Sequence, residues 1–240
     1  MIDFALLVIL GLVTWCVASE GAWGAAFMFL TVLMSGMLAM NFFEPVADML
    51  DGLGFGPDWS YRWDFVALVG LFAALVFGLR TALEKLMPTL VLVQPLSFDI
   101  VRWVCGLATG YVTMAFLLTA LHTAPLPREF FGFTPERKNF FNFSAPDRQW
   151  LGFTQYVSEK VLPTGNIFDG PQFVIGSGTY PYPDQLKAPQ FGNFDVKEPV
   201  WPSFIIRYAT RRDEFAAGGA AMVEQAPSQA PSGPSIKPSF

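Results

Sequence analysis

Residues 21–43 read GAWGAAFMFLTVLMSGMLAMNFF, a stretch of 23 residues without one Asp, Glu, Lys or Arg. An α-helix rises about 1.5 Å per residue, so a helix of this length spans roughly 34 Å. The hydrocarbon core of a bilayer is about 30 Å thick. The stretch is therefore long and apolar enough to cross a membrane by itself, and it predicts a transmembrane helix.

Three further charge-free stretches flank it, at residues 4–19, 65–79 and 103–127. The last of these is long enough to span a bilayer. The first and the second are short, and they need apolar or aromatic flanking residues to reach both headgroup regions. Together the four stretches predict an all-α membrane protein in which residues 1–125 form a domain of four transmembrane helices.

The composition agrees with this fold class, because 52% of the 240 residues are hydrophobic and only 15% are charged. The net charge is −5 and no cluster of Lys and Arg is present, which excludes nucleic acid as a partner. We expect membrane lipid and other membrane proteins, or further copies of this chain, as partners. Cys16 and Cys105 lie inside apolar stretches and are interpreted as packing residues. The sequence predicts no cofactor and no metal.

The connections between the four stretches differ in character. Residues 18–21 predict a tight hairpin turn, and residues 41–63, which are acidic and rich in glycine, predict the first true loop. The third helix is expected over residues 63–85. Residues 86–98 are apolar but contain two prolines, so they are expected to lie at the membrane interface or to re-enter it. The fourth helix is expected to begin near Asp99.

The remaining chain is predicted as an aromatic and proline-rich extramembrane region over residues 126–215 and a disordered tail over 216–240. The region is expected to be mostly irregular, with one amphipathic helix. Ser144-Ala-Pro-Asp predicts the start of that helix, with Ser144 as N-cap, and Pro163 ends it after about 16 residues. Its apolar stripe consists of Trp150, Phe153, Val157 and Val161. Residues 204–208 predict a short strand.

Six phenylalanines lie between residues 130 and 143, next to Arg128, Arg137 and Lys138. Aromatic rings beside cations suit a membrane surface. A small hydrophobic core formed by the same rings is an equally open interpretation.

The orientation follows from the basic residues near the ends of the helices. The third connection holds Arg80, Lys85 and Arg102, whereas the second holds only Arg62 among several acids. The third connection is therefore expected inside, and both termini outside the cytoplasm. Arg128, Arg137 and Lys138 after the fourth stretch favour the opposite side for the C-terminal region, so the two sets of charges nearly balance. The location expected for such a multi-pass protein is the inner (plasma) membrane.

Few residues are suited to catalysis. His122 is the only histidine, which excludes a histidine-rich metal site or a bis-histidine haem within one chain. An intramembrane protease that pairs Ser35 with His122 is a weak alternative, because no nucleophile motif surrounds the serine. None of the four stretches has a charge at its middle, as a proton relay would require. We predict no catalytic residue and no enzymatic activity.

Small residues recur at helical spacing in the third and fourth stretches. Gly70, Ala74 and Gly78 form one row, and Gly106 and Gly110 form a Gly-x-x-x-Gly step. Small residues mark the faces along which helices approach closely in lipid, so these five predict packing within the bundle or a contact between subunits.

Asp99 and Arg102 lie one helical turn apart before the fourth stretch. They are interpreted either as separate charges at the membrane surface or as an ion pair that fixes the fourth helix.

Two stretches carry a resemblance to a known family. They are Met1-Ile2-Asp3-Phe4, followed by Gly21 at the hairpin, and residues 96–110, LSFDIVRWVCGLATG, with glycines spaced along the last helix. In these features residues 1–125 resemble the colicin V production protein family of small four-helix inner-membrane proteins. The resemblance implies a non-enzymatic membrane protein connected with secretion of a peptide toxin or with envelope homeostasis. It supplies no catalytic residues.

Two other functions stay open. In an oligomeric channel or transporter, several chains would build one pathway lined by Ser35, Asn41, Thr109 and Thr113. In an accessory subunit of a larger membrane complex, the aromatic C-terminal region would bind the partner.

Overall fold

The computed structural model describes residues 1–54, 57–86, 95–127, 129–135, 137–161 and 203–216. Within these ranges the chain forms six α-helices and one π-helical turn. They are α1 (Ile2–Ser19), α2 (Gly21–Asp51), α3 (Pro57–Leu86), α4 (Pro95–Thr123), α5 (Pro146–Tyr156), the π turn (Val157–Val161) and α6 (Ser203–Ala216).

Helices α1 to α4 are each long and apolar enough to cross a membrane. Their most apolar windows have mean hydropathies of 2.2, 1.8, 2.1 and 1.8 in chain order. The predicted fold class, an all-α membrane protein with four transmembrane helices, is thereby confirmed. The described residues contain no strand beyond two isolated bridges, Phe130 with Phe133 and Phe140 with Ser144.

The four helices run up and down, so alternate connections lie at the same end of the bundle. At one end, Gly21, the first residue of α2, lies against the ring of Phe98 near the start of α4. Gly21 has φ +87°, a conformation that glycine adopts without steric cost. Arg80 of α3 lies 2.8 Å from Glu20 at the same turn. At the other end, Ile2 of α1 and Leu118 of α4 share an apolar cluster with Phe133.

The predicted loop over residues 41–63 is wrong in most of its length. Helix α2 continues to Asp51 through Pro45, and α3 already begins at Pro57. A proline inside a helix costs about 3 kcal/mol or more, because it lacks an N–H and its ring clashes with the preceding turn. Burial of Phe43 and Ala47 offsets this cost, since both belong to the main apolar core and each is at most 3% exposed.

The main core joins the membrane helices to the C-terminal region. Phe72 of α3 stacks on Phe116 of α4 at 4.0 Å between ring centroids, and Trp150 of α5 meets Phe116 edge-on at 6.1 Å. Gly36 of α2 makes room for Trp150, because a Cβ on that glycine would lie 2.6 Å from the indole ring. Helix α5 therefore closes the bundle from one end. We call residues 124–161 the cap.

Two local predictions for the C-terminal region need correction. The predicted N-cap Ser144 is not the cap of α5, which is Ala145 and makes no side-chain hydrogen bond. The predicted strand over residues 204–208 is the first part of helix α6. Buried side chains recur there with helical spacing, and they are Phe204, Ile205, Tyr208 and Ala209.

The four residues of the predicted apolar stripe differ in burial. Trp150 and Val157 are buried, whereas Phe153 is partly exposed and Val161 is largely exposed. Helix α4 begins at Pro95, four residues before the predicted Asp99. The predicted interfacial segment before Pro95, the end of the amphipathic helix at Pro163 and the predicted disordered tail after Ala216 lie outside the described residues.

Candidate functional site: a buried histidine–aspartate pair beneath the cap

The last turn of α4 and the first turn of α5 meet through two ionisable side chains. Nε2 of His122 lies 2.9 Å from Oδ2 of Asp147, and both side chains are fully buried. Thr119, one turn before His122, donates its hydroxyl to the carbonyl of Ala115 at 2.9 Å and also lies 3.4 Å from the carbonyl oxygen of Asp147. These contacts hold α5 across the end of α4.

Asp147 occupies its position for a local reason as well. It follows Pro146 in the first turn of α5, where the unpaired N–H groups of a helix favour a negative charge. Burial raises the pKa of the Asp147 carboxyl, but the hydrogen bond from His122, together with the charge and the backbone N–H of Arg148, lowers it more strongly. The pKa of Asp147 therefore lies below its ordinary value, and this carboxyl is a carboxylate at neutral pH.

An aromatic ring separates His122 from a cation of α6. The imidazole meets the ring of Phe133 edge-on at 4.9 Å, and the guanidinium of Arg212 lies over the same ring at 4.9 Å. Arg212 also reaches the carbonyl oxygen of Pro127 at 3.4 Å. The buried pair, the cap and α6 thus form one contact network around Phe133.

A cavity of about 10 Å³ lies beside His122, which is about the space that one water molecule requires. Its walls include Asp64 of α3 and Tyr208 and Arg211 of α6. Within the described residues, Nδ1 of His122 has no hydrogen-bond partner. The imidazole therefore has one nitrogen bound to Asp147 and a second that is available for a proton.

Helix α6 is attached to α2 and α3 by two ion pairs. Arg207 lies 2.7 Å from Glu44 of α2, and Arg211 pairs with Asp64 of α3. Tyr208, between these arginines, donates its hydroxyl to Asp64. Burial and the charge of Asp64 raise the pKa of Tyr208 well above its ordinary value, so the phenol stays neutral.

A second polar cluster joins the start of α1 to the cap. Asp3 accepts hydrogen bonds from Nη2 of Arg137 at 3.0 Å and from the backbone N–H of Phe141 at 2.6 Å. Arg137 donates further to the carbonyl of Gly132 at 2.8 Å and to the side chain of Asn142 at 2.6 Å. One arginine therefore links to α1 both tight turns of the cap, which are residues 130–133 and 140–144.

The structure places the five predicted packing residues in two different environments. A Cβ on Gly106 would lie 2.9 Å from the carbonyl oxygen of Thr14, and a Cβ on Gly110 would lie 2.8 Å from that of Leu10, so α1 and α4 approach closely there. Gly70, Ala74 and Gly78 are exposed instead. The space where a Cβ of Gly70 or Gly78 would lie is open to 4 Å, so within the described chain this row does not pack.

The predicted ion pair is present, with 3.0 Å between Nη2 of Arg102 and Oδ1 of Asp99. Both side chains are substantially exposed, so the pair contributes about 0–1 kcal/mol.

The structure does not bring Ser35 and His122 together. Within the described residues, neither Oγ of Ser35 nor Nδ1 of His122 has a hydrogen-bond partner, and Nε2 of His122 contacts Asp147 instead. His122 lies in the last turn of α4 and is fully buried. Among the described residues, no three His, Cys, Asp or Glu side chains form a group that could hold a metal ion.

Sequence reasoning missed Asp147, Asp64 and the arginines of α6 as parts of one site. Only Asp147 carried a signal, as a carboxylate at a helix start. Comparison with known proteins adds no further assignment, because no protein-family model, no curated protein and no solved structure matches the chain.

Proposed function

We propose that this chain is a non-enzymatic protein of the inner membrane, similar to the colicin V production family, that assists peptide toxin secretion or maintains the envelope. One observation supports this most directly: both stretches that carry the resemblance serve assembly of the bundle. Asp3 joins the cap to α1, and Gly106 and Gly110 allow α1 to approach α4. The residues shared with the family pattern thus have roles in packing rather than in chemistry.

The distribution of charge also favours a structural role. Charged side chains of the four candidate spans lie toward the helix ends, as Asp3, Asp64, Arg80 and Asp99 do. A transporter commonly places an ionisable residue near the middle of a span, where it binds a proton or a substrate. The buried His122–Asp147 pair lies at the end of α4 and connects helices.

A deletion strain with plasmid complementation tests this function. We expect loss of the protein to reduce export of a peptide toxin or to raise permeability of the envelope to a small dye. The wild-type chain and Gly70→Leu should restore the phenotype, because the space at Gly70 is open. Gly110→Leu should not, since its side chain would collide with α1. An unchanged deletion strain, or turnover of a defined small substrate by the purified protein, would contradict the proposal.

An oligomeric channel or transporter is the second candidate, and the open row of Gly70, Ala74 and Gly78 favours it. The polar residues expected to line its pathway are less favourable. Ser35 and Thr109 are fully buried inside one chain, and Thr109 donates to the carbonyl of Cys105 at 2.7 Å. Native mass spectrometry in nanodiscs and ion flux in liposomes test this candidate. Co-purification of a different protein at fixed stoichiometry would instead indicate an accessory subunit.

For the topology, we propose that both termini face outside the cytoplasm. The proposal is supported by Arg80, Lys85 and Arg102, which lie together at the opposite end of the bundle. Labelling of cysteines introduced at Met1 and at Ala216 with an impermeant maleimide tests it. Labelling of neither site in intact cells would overturn it.

A further inference from the structure

We propose that the two tight turns of the cap insert into the lipid headgroup region and complete the apolar surface of the short helix α1. The lipid-contacting surface consists of Phe131, Phe141 and Phe143, together with Phe4 of α1. We call these four rings the aromatic pad.

The rings of the pad are exposed in spite of their apolar character. Phe143 is 86% exposed, Phe4 71%, Phe131 61% and Phe141 46%. Phenylalanine is usually buried in proteins that are surrounded by water, and a contiguous exposed apolar patch marks a site of contact with a protein or a membrane.

The backbone directs two of these rings outward at a cost. Phe131 has φ +49° and Phe141 has φ +51°, in the left-handed region that bulky L-residues rarely adopt. Such conformations persist where the surrounding structure imposes them. Here the N–H of Ile2 donates to the carbonyl of Phe131 at 3.0 Å, and the N–H of Phe141 donates to Asp3. The contacts with α1 thus hold both strained turns in place.

The pad is continuous with the face of α1 that the rest of the bundle leaves open. Phe4 meets Phe141 edge-on at 6.1 Å, and the exposed row continues along α1 through Val8, Leu12 and Trp15. Helix α1 is a candidate membrane span, so this row faces lipid. The pad therefore lies at the lipid-facing end of α1, where apolar side chains such as Phe can insert at the boundary between headgroups and acyl chains.

Helix α1 is short for a membrane span, so it benefits from additional apolar surface at its end. Its 18 residues span about 27 Å, somewhat less than a hydrocarbon core of about 30 Å. A short span otherwise thins the bilayer around it. The pad continues the apolar surface beyond the start of α1 without lengthening the helix. Lys138, half-buried beside the pad and in no ion pair within the described residues, suits the adjacent phosphate groups.

Spin-label accessibility tests the proposal on the full chain in nanodiscs. In a Cys16→Ala/Cys105→Ala background, nitroxides are attached to Phe143→Cys and Phe131→Cys. Leu12→Cys, near the middle of the exposed row of α1, is the reference for a label in the hydrocarbon core. Met49→Cys is the reference for a label in water. Met49 is exposed and lies 28 residues, or about 42 Å, beyond the hairpin end of α2.

Oxygen is concentrated in lipid, whereas a water-soluble nickel chelate is excluded from it. We expect the ratio of the nitroxide's collisions with oxygen to its collisions with the chelate to be several-fold higher for labels at Phe143 and Phe131 than for a label at Met49. A ratio equal to that of Met49 would overturn the proposal, because the pad would then face water. Low accessibility to both reagents would also overturn it, since a protein would then cover the pad. Phe143 is almost fully exposed, so its replacement leaves the fold intact even if replacement of Phe131 does not.

Discussion

His122 and Asp147, 25 residues apart in sequence, are joined by a 2.9 Å contact that connects the last membrane helix to the cap. Both side chains are fully buried, so neither is solvated by bulk water. Removal of a buried hydrogen-bond partner leaves the other group unsatisfied, which costs roughly 1–3 kcal/mol.

Asp147→Ala is therefore expected to lower the free energy of unfolding by roughly 1–3 kcal/mol. Asp99→Ala is the matched control, because its carboxylate is 59% exposed in its ion pair and its loss should cost no more than about 1 kcal/mol. Thermal unfolding in detergent, followed by tryptophan fluorescence, measures both. Equal effects of the two variants would show that the buried pair contributes nothing special to stability.

The lowered pKa of Asp147 predicts a loss of stability in acid. A carboxyl whose pKa is lower in the folded than in the unfolded chain stabilises the fold above the unfolded value and loses this contribution as the pH falls. The ordinary value is 3.8, so the loss should begin near that pH and increase below it. Unfolding temperatures measured between about pH 3 and pH 6 should show a smaller dependence for Asp147→Asn than for wild type.

Tyr208 predicts the opposite dependence in alkali. Its pKa is raised above the ordinary 10.0, so the neutral phenol contributes stability below pH 10 that is lost as the pH rises above it. Amide hydrogen exchange in α6 should therefore accelerate above pH 10 beyond its intrinsic increase. Tyr208→Phe cannot ionise and should show only the intrinsic increase; an identical acceleration in both proteins would argue against a role for the phenol.

The two ion pairs of α6 should differ in strength. The Arg207–Glu44 pair is half-exposed on both sides, so Arg207→Ala should cost about 0–1 kcal/mol. Asp64 is only 12% exposed, so Arg211→Ala should weaken the attachment of α6 more than Arg207→Ala does. A double-mutant cycle with Asp64→Asn isolates the Arg211 contribution. A coupling energy near zero would mean that apolar burial alone holds α6.

Glycine substitutions distinguish the two small-residue rows. Gly110→Ala should destabilise the bundle by about 1–3 kcal/mol, because the added methyl group would lie 2.8 Å from a carbonyl oxygen of α1. Gly70→Ala should leave the unfolding temperature unchanged or slightly raised, since it enters open space and favours the helix. Unfolding in detergent micelles measures both variants. A destabilising Gly70→Ala would show that α3 packs on a second chain.

The four membrane helices could be predicted because long charge-free stretches have few alternatives in a chain of this composition. Residues 41–63 could not, because the buried partners of Phe43 and Ala47 are remote in sequence and keep α2 helical through Pro45. The aromatic and β-branched residues at 204–208 favour a strand locally, but the core selects a helix, whose buried face includes Phe204, Ile205 and Tyr208. No sequence motif predicts the His122–Asp147 pair, because the contact depends on how the cap folds back onto α4.

The length of α2 has a consequence for biosynthesis. Its outer part carries Phe43, whose partner Phe204 lies 161 residues later in the chain. At translation rates of about 5–20 residues per second, roughly 8–32 s pass between their syntheses. During that interval the membrane helices have been synthesised, but helix α6, which packs on the apolar side of α2, has not. The nascent chain thus has a defined period in which a chaperone at the membrane surface can bind it, and this period ends when α6 docks.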